Sequence, residues 1–447
     1  MSETDELKFK TSLIFWKLYE TGLTLKPKKV KDALKNDARY SKTMYDGYYF
    51  ANNNGEQMPL KWIASTGNLF LPVCLNLLKS TFHVKNHPQI QGNILIDAHI
   101  YPEGVIVMQS RMDFANFHSI NELIYASVPS DVLLPTENDM KAELDQLEES
   151  LLHFLIEKLS LKQRELREKA SPWHHNWIWW ENSQQIPNQA FDIGGSHFTY
   201  ALGMCTRSDK WRSLDYTKYN QIETVRNLSP YNGSCVYITH PGNCILPGFE
   251  MTDPQSVKNT LIDVIFGAEV GNVQRFMILE HLQNLNFERL EIEEIMEVYD
   301  EGEDLSDIVE KLDDIESKIN KIILEIYGDL QVSRTPRLLF TSVFKTRIFK
   351  QMVESLHGWE FNAGLMKLID EIRDSLSRER ESVKMRLDEE ENSFLKNLQI
   401  VFVIGLVAQM ITLFYAVDSF DFNLGTLFMG ISVVASVVIL WILKKLP

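Results

Sequence analysis

Two stretches near the C-terminal end are apolar on every side. Residues 398–417 read LQIVFVIGLVAQMITLFYAV, twenty positions without a charge, with Gln399, Gln409 and Thr412 as the clearly polar members. Residues 424–443, LGTLFMGISVVASVVILWIL, form a second uncharged run of twenty. A helix rises about 1.5 Å per residue and a bilayer core is about 30 Å thick, so each run can span one. A soluble core helix seldom lacks a polar face over such a length. The six residues between them, 418–423, carry two carboxylates and suffice to turn the chain. Lys396 precedes the first run, and Lys444 and Lys445 follow the second. Flanking lysines favour the cytoplasmic side. The pattern predicts a two-helix transmembrane hairpin in an inner (plasma) membrane, multi-pass, with both termini cytoplasmic and the loop outside.

Upstream the periodicity changes once. Residues 1–265 read as a cytoplasmic α+β domain of regulatory or ligand-binding type. Residues 93–112 form a hairpin pattern in which NILIDAHIY and VIVMQSRM flank the turn triplet Pro102-Glu103-Gly104. Residues 198–205 and 234–239 are also strand-like, and 136–169 reads as helix, with Leu144, Leu147, Leu151, Leu155 and Leu159 on related faces. From about Gln255 the strand signals stop. Residues 266–397 then predict acidic helices and a long stalk helix, followed by membrane helix 398–417, external loop 418–423 and membrane helix 424–443. No proline interrupts the chain between Pro336 and Pro447. Leu365, Ile369, Ile372, Leu376, Val383, Leu387, Phe394 and Leu398 recur at intervals of three, four or seven, as in a coiled-coil contact face. The same phase continues through Phe402, Gly405, Gln409, Thr412 and Ala416. A helix over 365–417 is about 80 Å long. The expectation is one rod carrying an oligomer contact into the bilayer.

Charge narrows the function. With 45 Lys+Arg against 61 Asp+Glu, the net charge of −16 argues against direct nucleic-acid binding. The first ten residues, MSETDELKFK, lack the basic and apolar blocks of a secretory signal. Four cysteines in a chain of this length suggest reduced thiols. Residues 288–318 hold fourteen acids and three bases, a local net of −11. Glu291, Glu294, Asp304 and Asp307 are candidate ligands for Mg2+ or another divalent cation; the alternative is a solvated helical face. Residues 173–180 contain four tryptophans in eight positions. Trp173, Trp177 and Trp180 offer stacking faces for a nucleotide ligand, with Arg207, Lys210 and Arg212 to neutralise its phosphate. The alternative for the tryptophans is core packing. Cys235, His240 and Cys244 have spacings that zinc tolerates, but a structural site needs four ligands. Phosphate-binding loops, dinucleotide fingerprints and hydrolase or kinase signatures are absent from the sequence, so neither an enzymatic activity nor a required cofactor is supported.

Polar residues within a membrane helix face the protein interior or water. Repeated around a symmetry axis, Gln409 and Thr412 would ring a pore, Leu398 and Phe402 would make an apolar constriction, and Asp418 would hold cations at the mouth. Otherwise Gln409 and Thr412 only hydrogen-bond between helices. In layout the chain resembles the CorA family of magnesium channels: a cytoplasmic α/β domain, acidic helices, a stalk helix and a C-terminal hairpin. The resemblance implies a funnel-shaped homopentamer in the lipid bilayer, with the first membrane helix lining the pore. Family members end that helix with Tyr-Gly-Met-Asn. Here Tyr415 is kept, but Ala416-Val417-Asp418 replaces the rest, which removes the motif that selects magnesium. Divergent relatives without the motif occur beside type III CRISPR systems as antiviral membrane effectors. The resemblance to them implies opening by a second messenger, S-adenosylmethionine joined to AMP. The alternatives are a magnesium transporter regulated by cytoplasmic metal, and a membrane-anchored binding protein without a pore.

Overall fold

The computed structural model describes residues 6–21, 25–35, 44–46, 49–51, 57–59, 71–135, 141–159, 173–222, 225–231, 233–247, 254–300, 305–329, 335–418, 430 and 434. The chain divides into two units. One combines Met1–Gln283 with Ile323–Met366, and the other combines Asn284–Ile322 with Lys367–Pro447. The strands are β1 (Phe9–Glu20), β2 (Met44–Asp46), β3 (Tyr49–Ala51), β4 (Gln57–Pro59), β5 (Val73–Val84), β6 (His87–Ile100), β7 (Val105–Phe114), β8 (Val132–Pro135), β9 (Lys141–Glu143), β10 (His174–Asn182), β11 (Cys235–Ile238) and β12 (Gly242–Leu246). The helices are α1 (Pro27–Lys35), α2 (Ile120–Ala126), α3 (Leu144–Lys158), α4 (Phe198–Thr206), α5 (Tyr216–Ile222), α6 (Pro254–Asp300), α7 (Leu305–Asp329), α8 (Val343–Ser355) and α9 (Gly358–Asp418).

The first unit is built on one sheet in the order β11-β12-β10-β1-β7-β6-β5-β8-β9, with β2 added onto β5; β3 and β4 pair separately. The pairing of β10 with β12 is parallel, and β1 pairs antiparallel with both β10 and β7. β1 is buried at almost every position because both faces of the sheet are covered. Leu13 and Phe15 point to one core with Leu123 of α2, Leu152 and Leu155 of α3, and Ala201 and Leu202 of α4. Ile14, Trp16 and Leu18 point to the other, with Ile265 and Phe266 of α6 and Ile348, Phe349 and Met352 of α8. Gly271 lets these two helices meet, since a Cβ there would lie 2.7 Å from that of Met352. The hairpin expected over 93–112 is present as β6 and β7. Gly104 turns it with φ of +96°, a conformation that costs a side-chain-bearing residue energy.

Three expectations change. Residues 198–205 are helical, as α4, not a strand; FTYALGMC is apolar without alternation, and such a run suits a buried helix equally well. The helix expected over 136–169 is shorter: Lys141–Glu143 pairs with β8 as a strand, and α3 starts at Leu144. Residues 136–140 and 160–169 lie outside the described residues. The third change concerns the long seam. Ile369, Ile372, Leu376 and Val383 are buried inside a single chain, so they are not open to a second copy. Their partners come from the same unit, where Ile292 of α6 and Ile308, Leu312, Ile315 and Ile319 of α7 are also buried. Arg380 of α9 binds Asp313 and Glu316 of α7, each at 2.7 Å, and Lys318 of α7 reaches Glu291 of α6 at 3.2 Å. A heptad stripe states that a partner exists, not which chain supplies it.

Candidate functional site

Past Val383 the surroundings of α9 thin out, and nearly every residue from Lys384 to Ile400 is exposed or half-exposed. The stretch that follows is apolar. Phe402 and Met410 are 68% and 69% exposed, and Val403, Ile404, Leu406, Val407 and Ile411 are open as well. α9 is long and apolar enough to cross a membrane, and little of its apolar stretch is buried in the chain. That exposure separates it from a soluble core helix. Contiguous apolar surface of this extent marks a face that a membrane or another protein covers. Its circumference is uneven. Val401 is buried, and Leu398, Gly405, Ala408 and Gln409 are half-buried on the same side. The expected pore stripe is therefore split: Leu398, Gly405 and Gln409 lie on the covered side, and Phe402 lies at its open border. The side chains of Thr412, Tyr415, Ala416 and Asp418 lie outside the described residues. So do loop 418–423 beyond Asp418 and, apart from helical Gly430 and Val434, the second expected span.

The tryptophan cluster is β10, and its rings are held by packing. Trp177 is wholly buried, and Trp179 stacks on Phe9 at 3.9 Å. Trp180 points to the opposite face, where its indole N–H donates to Ser12 Oγ at 2.7 Å. Trp173 meets Phe15 edge-on at 5.5 Å, with the Lys17 ammonium over its ring. The three basic residues have separate surroundings. Arg212 pairs with Glu6 and lies over Trp211; Lys210 is exposed; Arg207 caps α4 in the left-handed region and turns to His175.

The acidic stretch forms helical faces. Glu294 and Asp307 are exposed, Glu291 accepts from Lys318, and Asp304 lies outside the described residues. Among the described residues no group of three or more His, Cys, Asp or Glu side chains is close enough to hold a metal ion. Cys235 and Cys244 are buried on adjacent strands, opposite Leu246 and Tyr237 respectively.

One cluster escapes a reading by motif. Glu269, on the buried side of α6, approaches His99 Nδ1 at 2.7 Å and accepts from the Tyr101 hydroxyl at 2.7 Å. Cys74 of β5 lies opposite His99 in the β-ladder. Burial opposes the charge on His99, but Cys74 and Glu269 outweigh it and hold the imidazole protonated well above its usual range. Burial pushes the Cys74 thiol up. The available signal was Glu269 itself, the one acid in the run VIFGAEVGNV. No known protein family, curated protein or solved structure matches the chain.

Proposed function

We propose that this chain is a self-associating membrane channel for cations, CorA-like in arrangement, controlled by its α/β domain on the cytoplasmic side. One observation carries the reading. α9 is a single unbroken helix that contributes Leu365 to buried packing near its start and exposes an apolar, membrane-length segment near its end. Self-association draws support from Met385, Phe394 and Leu395, which stand 56%, 44% and 54% exposed among charged neighbours. In this proposal residues 424–443 complete a hairpin, five copies surround the path, and Asp418 stands at its outer mouth. The ligand is a nucleotide second messenger of the S-adenosylmethionine-AMP type, and the passing ion is magnesium or another cation. Purified protein in liposomes is expected to release a trapped cation when the messenger is added. Silence under every nucleotide and metal condition would sink the channel. Replacing Gln409 with Leu is expected to alter the flux.

A second reading, a membrane-tethered binding protein without a pore, is favoured by one observation. Leu398, Gly405 and Gln409 are partly covered within their own chain, as helix-packing residues would be. Mass measurement in mild detergent separates the two, because a monomer supports the tether and a pentamer the channel.

A further inference from the structure

α6 is seated on the sheet by charge as well as by apolar packing. Glu269 is wholly buried, and its Oε1 takes two partners, His99 Nδ1 at 2.7 Å and the Tyr101 hydroxyl at 2.7 Å. His99, near the end of β6, is wholly buried as well. A second buried pair ties the same helix to α8, where Lys345 binds Asp263 at 2.8 Å. The rest of the contact with α8 is smooth. Gly267 and Gly271 stand one turn apart and face Ile348 and Met352. A Cβ at Gly267 would lie 3.4 Å from that of Ile348. Glycines in such a row raise no ridge that would lock one helix against the other. The Lys345 ammonium rides on a flexible four-carbon stem, so its pair can follow a small shift.

The turn that follows Glu269 is under-satisfied. Asn272 Nδ2, Gln274 Oε1 and Arg275 Nε are buried without a hydrogen-bond partner among the described residues. Asn272 and Gln274 are each only 2% exposed, so water does not reach them freely. An unpaired buried polar atom is costly, and native structures hold few. Two adjacent turns of one helix therefore oppose each other. Glu269 fits the observed seat, whereas residues 272–275 do not.

We propose that Glu269, His99 and Tyr101 form a latch that sets the position of α6, and that α6 shifts along α8 when the latch opens. A buried ion pair adds little net stability over an apolar pair of the same size, and its best-attested use is to fix register. Packed helices move by small slides of this kind. Such a slide gives the polar atoms of 272–275 the chance of new partners. Every residue of the device belongs to the unit that contains the sheet, so the inference holds whether or not the membrane segment conducts.

The test is disulfide trapping in the full-length protein in detergent micelles. Gly267→Cys with Ile348→Cys places two thiols at a separation that suits a disulfide in the observed seat. The four native cysteines are buried. Diamide should join the new pair rapidly in this parent. Adding Glu269→Gln should slow the joining roughly tenfold or more, because the joinable seat is then a minor population. A second variant guards against misfolding. His99→Leu, Tyr101→Phe and Glu269→Leu together remove every member of the latch, leaving no charge stranded. This variant should keep its helical circular dichroism and show the same slowing. Ile265→Val, which loosens the same core but spares the latch, should leave the rate unchanged. Equal rates in the parent and the latch variants would overturn the inference. So would a slowing in Ile265→Val as large as in Glu269→Gln, or a loss of helical signal in the triple variant.

Discussion

Glu148 of α3 is a carboxyl group placed where it cannot readily ionise. Its Oε1 accepts from the Ser110 hydroxyl, and its Oε2 is buried without a partner. Burial raises its pKa to about 8, against a smaller pull downward from Ser110 and Lys17. The folded chain therefore keeps a proton that the unfolded chain releases near pH 4.5. Stability from this group is complete below that pH and is lost as the pH rises to about 8. Glu148→Gln is expected to remove the slope: urea midpoints of the two proteins should diverge with rising pH, the variant ahead at the alkaline end. Parallel curves would show that Glu148 ionises freely. Lys345 offers a second test, since it is 1% exposed and binds Asp263 at 2.8 Å. Lys345→Met alone should cost about 3 kcal/mol by leaving Asp263 unpaired, and adding Asp263→Leu should recover most of it. Chemical denaturation of the single and double variants measures both. Glu148 was half legible in the sequence. It shares the i, i+4 phase of Leu144 and Leu152, which places it on the core side of α3, but its partner Ser110 comes from a distant strand.

The helices of the second unit show where pattern reading stops. Ile308, Leu312, Ile315 and Ile319 of α7 recur at four, three and four residues, and all are buried. Leu312→Ala should destabilise this unit by about 2–4 kcal/mol, seen as an earlier loss of helical circular dichroism. Replacing Phe394 and Leu395 together by Asp should instead leave the melting temperature unchanged and reduce the mass in detergent, because both side chains are exposed in one chain. A constant mass would place the self-association surface elsewhere. The positions of the stripe on α9 were readable, whereas the identity of its partner depended on α6 and α7. The tryptophans behave alike: aromatic density signalled a strongly packed strand, and only the sheet order showed how two neighbours would enclose it.

At the scale of the whole molecule, the acidic composition and the membrane-length apolar segment were legible because each is a property of the chain summed along its length. The sheet was not, because its centre joins segments far apart: Phe9 pairs with Asn182, and one face closes only when α8 arrives. That last dependence bears on biogenesis. As the chain leaves the ribosome, Ile14, Trp16 and Ile178 belong to a face that lacks Ile348, Phe349 and Met352 until residues 343–355 emerge. Leu398 follows Ser355 by only 43 residues, so the α/β unit completes its core shortly before the membrane-length apolar segment emerges. Completion of the core and shielding of that apolar segment thus fall in the same brief interval. A chain halted before Val343 would display the unfinished face, which would be bound by chaperones or aggregate.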